Sequence, residues 1–210
     1  MIAKKWLNQT ANHNSFKMEL YYLANTRKLM QNDHPPCLGF AAASGTGKTT
    51  LLTQLIPLLK QQSLRVGLIK YSHHNFEIDK PGKDSFRLRA AGASPVMLVS
   101  SHRRAVITEF SEPVQPRLAQ QLQLFDKTEV DLILVEGFKA EPFPKIELHR
   151  AELNNPLLYP NDADIIAIAS DTNLKLPAPL VKLDLNNPVM IAKFILDTFL
   201  AGVFMKAMHR

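Results

Sequence analysis

The sequence predicts an α/β fold of the P-loop NTPase class: a mostly parallel twisted sheet flanked by helices, with an antiparallel edge or hairpin. An apolar run from 38 to 43 leads into a glycine loop from 44 to 50, and an amphipathic run from 51 to 59 follows it. A second apolar run, from 65 to 70, completes a strand–helix–strand unit, whose two strands should be parallel. A continuous apolar run from 130 to 135 is typical of a strand buried on both faces of such a sheet.

The glycine loop Ser44-Gly45-Thr46-Gly47-Lys48-Thr49-Thr50 contains the residues that a phosphate-binding loop needs. Gly45 and Gly47 can take backbone angles that let successive N–H groups point at one anion. The helix that follows adds its own unpaired N–H groups and positive dipole end. We expect Lys48 to reach the β- and γ-phosphates and Thr49 to ligate Mg²⁺. The pattern also asks for glycine at the position of Ala42, which we interpret as a tolerated variant.

The composition of the 210 residues is that of a globular protein, with 46% hydrophobic residues and a net charge of +6. The single cysteine excludes a disulfide framework and a cysteine-built zinc site. We find no apolar stretch long enough for a membrane span and no secretory pattern, so we expect a cytoplasmic protein without a membrane partner. No basic block with interleaved aromatic residues is present, so we expect no nucleic-acid partner.

The chain divides into two parts that differ in the pattern of their apolar residues. We interpret residues 1–34 as an N-terminal extension of unclear structure, and residues 35–210 as the P-loop nucleotide-binding domain. Pro35 and Pro36 separate the two parts, because they end any preceding helix.

The periodicity of the second part predicts its elements in order. The predicted helices cover residues 50–62, 86–91, 116–125 and 188–200. The predicted strands cover residues 65–70, 94–100, 104–110, 130–135, 144–149, 164–170 and 180–185. The short turn at 101–103 suggests an antiparallel pair, and the alternating pattern of 144–149 suggests an edge strand.

A glutamate ends one of the buried strands. Glu136 follows the apolar run from 130 to 135, where a carboxylate can bind Mg²⁺ through water or position an attacking water. Gly137 would let the backbone approach the γ-phosphate closely. The alternative is a loop glutamate without a task, which we favour less, because carboxylates are costly beside such an apolar run. Asp131 begins the same strand at the opposite end of the sheet, and we interpret it as a cap.

Asp171 ends another predicted strand, where its carboxylate could accept hydrogen bonds from both N1–H and N2–H of guanine. The usual Asn-Lys pair before such an aspartate is absent, because Ala169 and Ser170 occupy those positions. The residues alone therefore favour guanine but leave adenine open.

The polar loop after the second strand offers further candidates. Asp79, Lys83 and Asp84 could order around Mg²⁺ and the γ-phosphate as a switch segment, with Asp84 as a metal ligand; the alternative is a solvated surface loop. His73 and His74 suggest a metal site, but adjacent residues on an extended segment point to opposite faces, so both rarely bind one ion. Whether they bind a metal stays open.

Several motifs together resemble the molybdopterin-guanine dinucleotide biosynthesis adapter (MobB) family over about residues 37–200. They are the phosphate loop, Pro81-Gly82-Lys83-Asp84-Ser85, Val135-Glu136-Gly137-Phe138-Lys139 and Pro144-Lys145-Ile146-Glu147. The resemblance implies a homodimeric GTP-binding protein with weak GTPase activity. It also implies a role beside the guanylyltransferase that joins GMP to molybdopterin, with molybdopterin itself as a further candidate partner. The residues before Pro35 lie outside the family pattern.

Two alternatives to a GTP-binding adapter stay open. A P-loop small-molecule kinase would need a lid with several arginines, which Arg87, Arg89, Arg103 and Arg104 could supply. A nucleotide-binding interaction module without turnover is the other. For a dimer, the segments 104–110 and 145–149 are the expected interface strands, because exposed sheet edges pair.

Overall fold

The computed structural model describes residues 34–72 and 75–202 of the chain. The N-terminal extension predicted for residues 1–34 therefore lies, except for its last residue, outside the described residues. His73 and His74 also lie outside them. The interpretations made for these segments remain predictions.

The described residues form eight strands and four α-helices. The strands are β1 (Cys37–Ala41), β2 (Val66–Lys70), β3 (Val96–Val99), β4 (Arg104–Ile107), β5 (Leu132–Glu136), β6 (Lys145–His149), β7 (Ile165–Ser170) and β8 (Val181–Asp184). The helices are α1 (Lys48–Gln61), α2 (Asp84–Ala90), α3 (Leu118–Leu122) and α4 (Pro188–Phe194), and a π-helical segment, Ile195–Leu200, continues α4. Two short 3-10 turns cover Ala151–Leu153 and Tyr159–Asn161.

Six of the strands form one parallel sheet in the order β2-β5-β1-β6-β7-β8. The remaining two, β3 and β4, form a separate antiparallel pair in which Met97 lies opposite Val106. This confirms the predicted fold class. Because all six strands run in the same direction, the residues that follow β1, β5, β6 and β7 lie together at the carboxyl ends of the strands. This end of the sheet, where open α/β folds bind ligands, is called the sheet edge below.

The prediction for residues 144–149 was wrong in one respect. β6 is not an edge strand, because it pairs with β1 on one side and with β7 on the other. Its alternating polar residues are buried instead: Lys145 forms an ion pair with Asp162 at 3.0 Å, and Glu147 accepts hydrogen bonds from the N–H groups of Leu158 and Tyr159. Paired polar groups thus imitate the pattern of a half-exposed strand. β6 is therefore no interface strand of the kind expected.

The chain divides into two compact units. The first contains the described residues up to Tyr71 and from Leu118 onwards, and the second contains the described residues from Ser72 to Arg117. The first unit holds the hydrophobic core, in which the apolar faces of α1 and α4 pack together with the parallel sheet. In the second unit no described residue is buried. The sequence patterns did not indicate this second unit.

Local signals explain how the flanking helices begin. The Asn187 side chain accepts a hydrogen bond from the N–H of Met190 at 3.0 Å, and Pro188 occupies the first turn of α4, as predicted. Gly47, in the left-handed conformation, precedes the first residue of α1. Helix α1 continues past Pro57 to Gln61. Within the described residues, none of the helices combines the length and apolar character needed to cross a membrane.

Candidate functional site

The phosphate loop connects the end of β1 to the start of α1, as predicted. Gly45 has a φ of 81° and Gly47 a φ of 97°, a conformation that side chains rarely adopt. The first hydrogen bond of the helical turn runs from the N–H of Leu51 to the Gly47 carbonyl. The N–H groups of residues 45–50 donate to no acceptor within the described part of the chain. These N–H groups are therefore available to an anion at the positive end of α1.

The loop is held by its own contacts and is open toward solvent. Thr46 is buried, and its hydroxyl donates to the Ala43 carbonyl at 2.9 Å, so Thr46 can offer a ligand only its backbone. Ser44, Gly45, Thr49 and Thr50 are exposed. A Cβ added to Gly45 would meet no atom of the described residues within 4 Å, so the space above the loop is accessible. A preformed and open nest of N–H groups fits a polyphosphate chain.

The side chain of Lys48 reaches back to the residues just before this loop. Its ammonium donates to the carbonyls of Ala42 and Ala43, at 3.3 and 3.1 Å. Burial lowers the pKa of Lys48 below its usual value; attraction from Glu136 opposes the shift, and repulsion from Lys139 and Lys70 adds to it. The positive charge of Lys48 is thus incompletely compensated, which suits it to bind an anionic ligand.

Glu136 lies beside the loop, at the end of β5. Its neighbours across the sheet are Phe40 in β1 and Lys70 in β2, and its side chain is only 14% exposed. The Lys70 ammonium is 3.5 Å from Oε2 of Glu136. The arrangement brings Lys48 and the Glu136 carboxylate to the same part of the sheet edge, as the sequence analysis expected.

Gly137 has a structural reason to be glycine. Its φ is 101°, and a Cβ at this position would lie 2.7 Å from the Cβ of Tyr71. The Tyr71 ring stacks on Phe138 with 4.9 Å between ring centres, and the N–H of Tyr71 donates to the Glu136 carbonyl. The turn after β5 therefore packs against the end of β2, which holds Glu136 in place.

Asp171 lies at the same sheet edge, on the other side of the phosphate loop. It follows β7, and its Oδ1 accepts a hydrogen bond from the N–H of Ala151 at 3.0 Å. Its Oδ2 is 3.6 Å from Nη1 of Arg150. Each carboxylate oxygen has two lone pairs, so these contacts leave acceptor positions available for a ligand.

Arg150 is a residue that the sequence analysis did not single out. It follows β6 directly, and its Nε donates to the Thr46 carbonyl of the phosphate loop at 3.4 Å. A charged residue after a buried parallel strand is the same signal that identified Glu136 and Asp171. The signal is hidden in the sequence, because the buried, paired Lys145 and Glu147 give β6 the alternating pattern of an edge strand.

Asp131 lies at the opposite end of β5, as expected. Its carboxylate accepts hydrogen bonds from the backbone N–H of Arg65, at 2.8 Å, and from the Arg65 guanidinium. The hydrogen bond with the guanidinium is the largest contribution that lowers the pKa of Asp131. This pair ties the start of β5 to the segment before β2 and has a structural role away from the phosphate loop.

The second unit contains Asp84 as the first residue of α2, with an exposed side chain. Within this unit Oδ1 of Asp79 accepts a hydrogen bond from the Ser85 hydroxyl at 3.1 Å, and its buried Oδ2 has no partner among the described residues. The guanidinium of Arg89 forms ion pairs with Glu77 and Glu109. The role of Asp84 as a metal ligand stays a prediction.

The residues near the loop fit Mg²⁺ bound together with a phosphate. Within residues 34–72 and 75–202, no group of three or more His, Cys, Asp and Glu side chains is placed to hold a metal. Mg²⁺ commonly takes only one or two protein oxygens, with phosphate oxygens and water completing its shell. The exposed Thr49 hydroxyl and the Glu136 carboxylate are oxygen donors of this kind beside the loop.

Comparison with protein families gives a match to "Molybdopterin guanine dinucleotide synthesis protein B" (MobB) over residues 37–171. The Haemophilus influenzae molybdopterin-guanine dinucleotide biosynthesis adapter protein is 48% identical over 168 residues, 80% of this chain and 91% of the relative. The Escherichia coli adapter protein is 45% identical over 163 residues, 77% of this chain and 92% of the relative. The similarity thus extends over most of each relative.

Solved structures resemble the same part of the chain. A crystal structure of Bacillus subtilis MobB superposes with a TM-score of 0.61 at 25% identity, covering 77% of this chain and 96% of that protein. A MobB homologue from Bacillus stearothermophilus gives a TM-score of 0.58 at 20% identity, covering 79% and 98%. At 20% identity, the similarity to the Bacillus stearothermophilus protein shows a shared fold only.

Proposed function

Because the chain belongs to the MobB family, we propose that it acts as an adapter protein in molybdopterin guanine dinucleotide biosynthesis and binds GTP with Mg²⁺ at the phosphate loop. Family membership rests on a match to more than half of the chain and on two adapter proteins above 40% identity. The observation that carries the ligand proposal is the set of available N–H groups at residues 45–50. These N–H groups, beside the partly buried Lys48, favour a polyphosphate.

We assign roles along the triphosphate according to position on the sheet edge. The backbone of residues 44–50 surrounds the phosphates, and Lys48 exchanges its two loop carbonyls for β- and γ-phosphate oxygens. Thr49 and Glu136 hold Mg²⁺ directly or through water, and the role of Asp84 as a further ligand rests on the sequence motif alone. When bound, Mg²⁺ neutralises the charge that develops on the phosphate oxygens.

For the base, we propose that Asp171 accepts hydrogen bonds from N1–H and N2–H of guanine. Its carboxylate lies at the end of β7, and each oxygen retains a lone pair after its contacts with Ala151 and Arg150. Adenine presents no such pair of donors to a carboxylate. This arrangement would give GTP an advantage over ATP.

We also propose weak hydrolysis of GTP. Water would attack the γ-phosphorus while the bond to the bridging oxygen breaks, which yields GDP and phosphate. Glu136 orients this water, and Gly137 supplies backbone near the γ-phosphate. The ammonium of Lys70, 3.5 Å from Glu136, competes for the same carboxylate. This competition is consistent with slow turnover.

For assembly, we propose a homodimer that contacts the guanylyltransferase and, through it or directly, molybdopterin. Eight large apolar side chains of the second unit are more than half exposed. They are Phe76, Ile78, Leu88, Met97, Val99, Val106, Phe110 and Val114. An exposed apolar set of this size in a unit without buried residues favours coverage by another protein surface. The cytoplasmic location and the lack of a nucleic-acid partner remain predictions from the sequence.

The test of GTP binding is the substitution Lys48→Ala. We expect a loss of GTP affinity of about a hundredfold or more, because a charged donor to the phosphates disappears. Calorimetry with GTP and Mg²⁺ measures it, and circular dichroism checks the fold. Lys60→Ala, in the last turn of the same helix, is the matched control and should bind as the unmodified protein does.

Two outcomes of the same titration would contradict the proposal. Unchanged affinity in Lys48→Ala would mean that the loop does not hold the triphosphate. Equal affinities of the unmodified protein for ATP and GTP would remove the guanine assignment while leaving the phosphate site in place.

A further inference from the structure

The guanidinium of Arg150 bridges the phosphate loop and the carboxylate of Asp171. Its Nε donates to the Thr46 carbonyl at 3.4 Å, and its Nη1 is 3.6 Å from Oδ2 of Asp171. Its Nη2 is 3.8 Å from the place that a Cβ on Gly47 would occupy. Glu152 also approaches, at 4.0 Å from Nε, but its side chain is 73% exposed. Arg150 thus lies directly against the loop that is proposed to hold the phosphates.

Strand order decides which end of the nucleotide Arg150 faces. The carboxyl ends of β5, β1, β6 and β7 follow one another along the sheet edge. Glu136 ends β5, on one side of the phosphate loop, whereas Arg150 and Asp171 follow β6 and β7 on the other. If the terminal phosphates and Mg²⁺ lie on the Glu136 side, the nucleoside extends toward Arg150.

We propose that Arg150 is a nucleoside-binding residue that packs its guanidinium plane against the base and ribose while it holds the phosphate loop through the Thr46 carbonyl. The inference rests on the proposed function, because it requires a nucleotide in the loop. A planar guanidinium stacks well on aromatic rings, and base stacking of this kind does not depend on which base is present.

The contacts that Arg150 already makes favour this role. The Thr46 carbonyl engages the edge of the guanidinium, since a hydrogen bond to one of its N–H groups lies in its plane, and Asp171 is an ion-pair partner at 3.6 Å. The hydrogen bond to the Thr46 carbonyl therefore uses neither face of the plane. The side chain is 28% exposed, so it is neither enclosed in the core nor free in solvent.

The competing explanation is that Arg150 only ties β6, β7 and the loop together. Binding of inorganic tripolyphosphate separates the two explanations, because this ligand has the phosphates of GTP but no nucleoside. A residue that only shapes the loop would affect both ligands equally. A residue that contacts the nucleoside would affect GTP alone.

The experiment measures the dissociation constants of Mg²⁺-GTP and Mg²⁺-tripolyphosphate by calorimetry for Arg150→Ala and the unmodified protein. We expect Arg150→Ala to weaken GTP binding about tenfold, the effect of losing one stacked cation, and to change tripolyphosphate binding less than about twofold. Arg65→Ala is the matched control, because Arg65 is also an ion-paired arginine of the same unit but lies at the opposite end of the strands. It should leave both constants unchanged.

Arg150→Lys tests the planar contact itself. Lysine keeps the charge and a donor for the Thr46 carbonyl but has no planar face. We expect it to bind tripolyphosphate normally and GTP more weakly than the unmodified protein does. Full recovery of GTP affinity with lysine would overturn the stacking contact.

The remaining outcomes distinguish this inference from the proposed function. An equal loss of both ligands in Arg150→Ala, or no loss of either, would overturn the inference while GTP binding by the unmodified protein still supported the proposed function. If the unmodified protein failed to bind GTP, both would fall together.

Discussion

Lys48 is a charged group that the fold partly removes from water. Its ammonium has two carbonyl partners, and burial lowers its pKa. The negative charge of a triphosphate would favour the protonated form, so the pKa of Lys48 should rise on binding. The partial desolvation of this residue is then offset by the ligand, which is a physical reason for the loop to prefer highly charged phosphates.

Glu136 is the residue that we expect to separate binding from hydrolysis. Glu136→Gln keeps the size of the side chain but removes the charge that orients an attacking water. We expect GTP hydrolysis to fall by about a hundredfold or more, the usual contribution of such a group. The affinity for Mg²⁺-GTP should fall less, because Lys48 and the loop backbone still hold the phosphates and glutamine keeps an oxygen for Mg²⁺. Phosphate release under single-turnover conditions measures the rate.

The matched control for this prediction is Glu129→Gln, an exposed glutamate before the start of β5. It should hydrolyse GTP at the rate of the unmodified protein. If Glu136→Gln did the same, Glu136 would have no part in hydrolysis, and its position beside Lys48 would serve binding alone.

At the scale of elements, one glycine in β1 makes room for two side chains at the start of β6 and just before it. A Cβ on Gly39 would lie 2.5 Å from Cε2 of Phe143 and 2.8 Å from Cγ of Lys145. Both of those side chains are buried, and Lys145 forms its ion pair with Asp162 there. Close approach at Gly39 thus allows the segment before β6 to cover the middle of β1.

Gly39→Ala should therefore destabilise the protein. We expect a loss of about 1–3 kcal/mol in the free energy of unfolding, the usual cost of an extra carbon in a packed core. Urea denaturation followed by circular dichroism measures it. Gly202→Ala is the control, because no described atom lies within 4 Å of the added Cβ, and it should be neutral or slightly stabilising. A stability of Gly39→Ala equal to that of the control would contradict the packing argument.

At the scale of the whole molecule, the two units differ in how they bury apolar surface. The first unit has a continuous core, whereas the second has no buried residue among those described and carries eight of the large exposed apolar side chains. Met97 and Val106 face each other across β3 and β4 on the exposed side of that pair. Such a surface is suited to contact with another protein chain.

The proposed homodimer leads to a test of this surface. Size-exclusion chromatography with light scattering should give twice the mass of the 23.6 kDa chain. The double substitution Met97→Lys with Val106→Lys should give the monomer mass, because two buried, unpaired charges would oppose association. Leu124→Lys, at an exposed position of the first unit, should remain dimeric. A monomeric unmodified protein would refute the dimer, and a dimeric double variant would place its interface elsewhere.

The phosphate loop and the parallel sheet were predictable because their signals are local. The spacing of Gly45, Gly47 and Lys48 and the apolar runs before and after them specify a strand, a loop and a helix without reference to distant residues. The position of Glu136 followed from the same reasoning, since a strand of continuous apolar residues belongs to the interior of a parallel sheet. The sequence by itself therefore determined the fold class and the place of the loop and Glu136 at the carboxyl ends of neighbouring strands.

Only the tertiary structure decided which side chains lie on the other side of the phosphate loop from Glu136. Residues more than a hundred positions apart meet there, as Arg150 and Thr46 do, and that contact depends on β6 lying beside β1. The alternating pattern of β6 indicated an edge, because sequence periodicity cannot tell a solvated polar residue from one that is buried and paired. The ion-pair partner of Lys145 and the N–H groups that donate to Glu147 come from segments after β6, and only the folded chain brings them together.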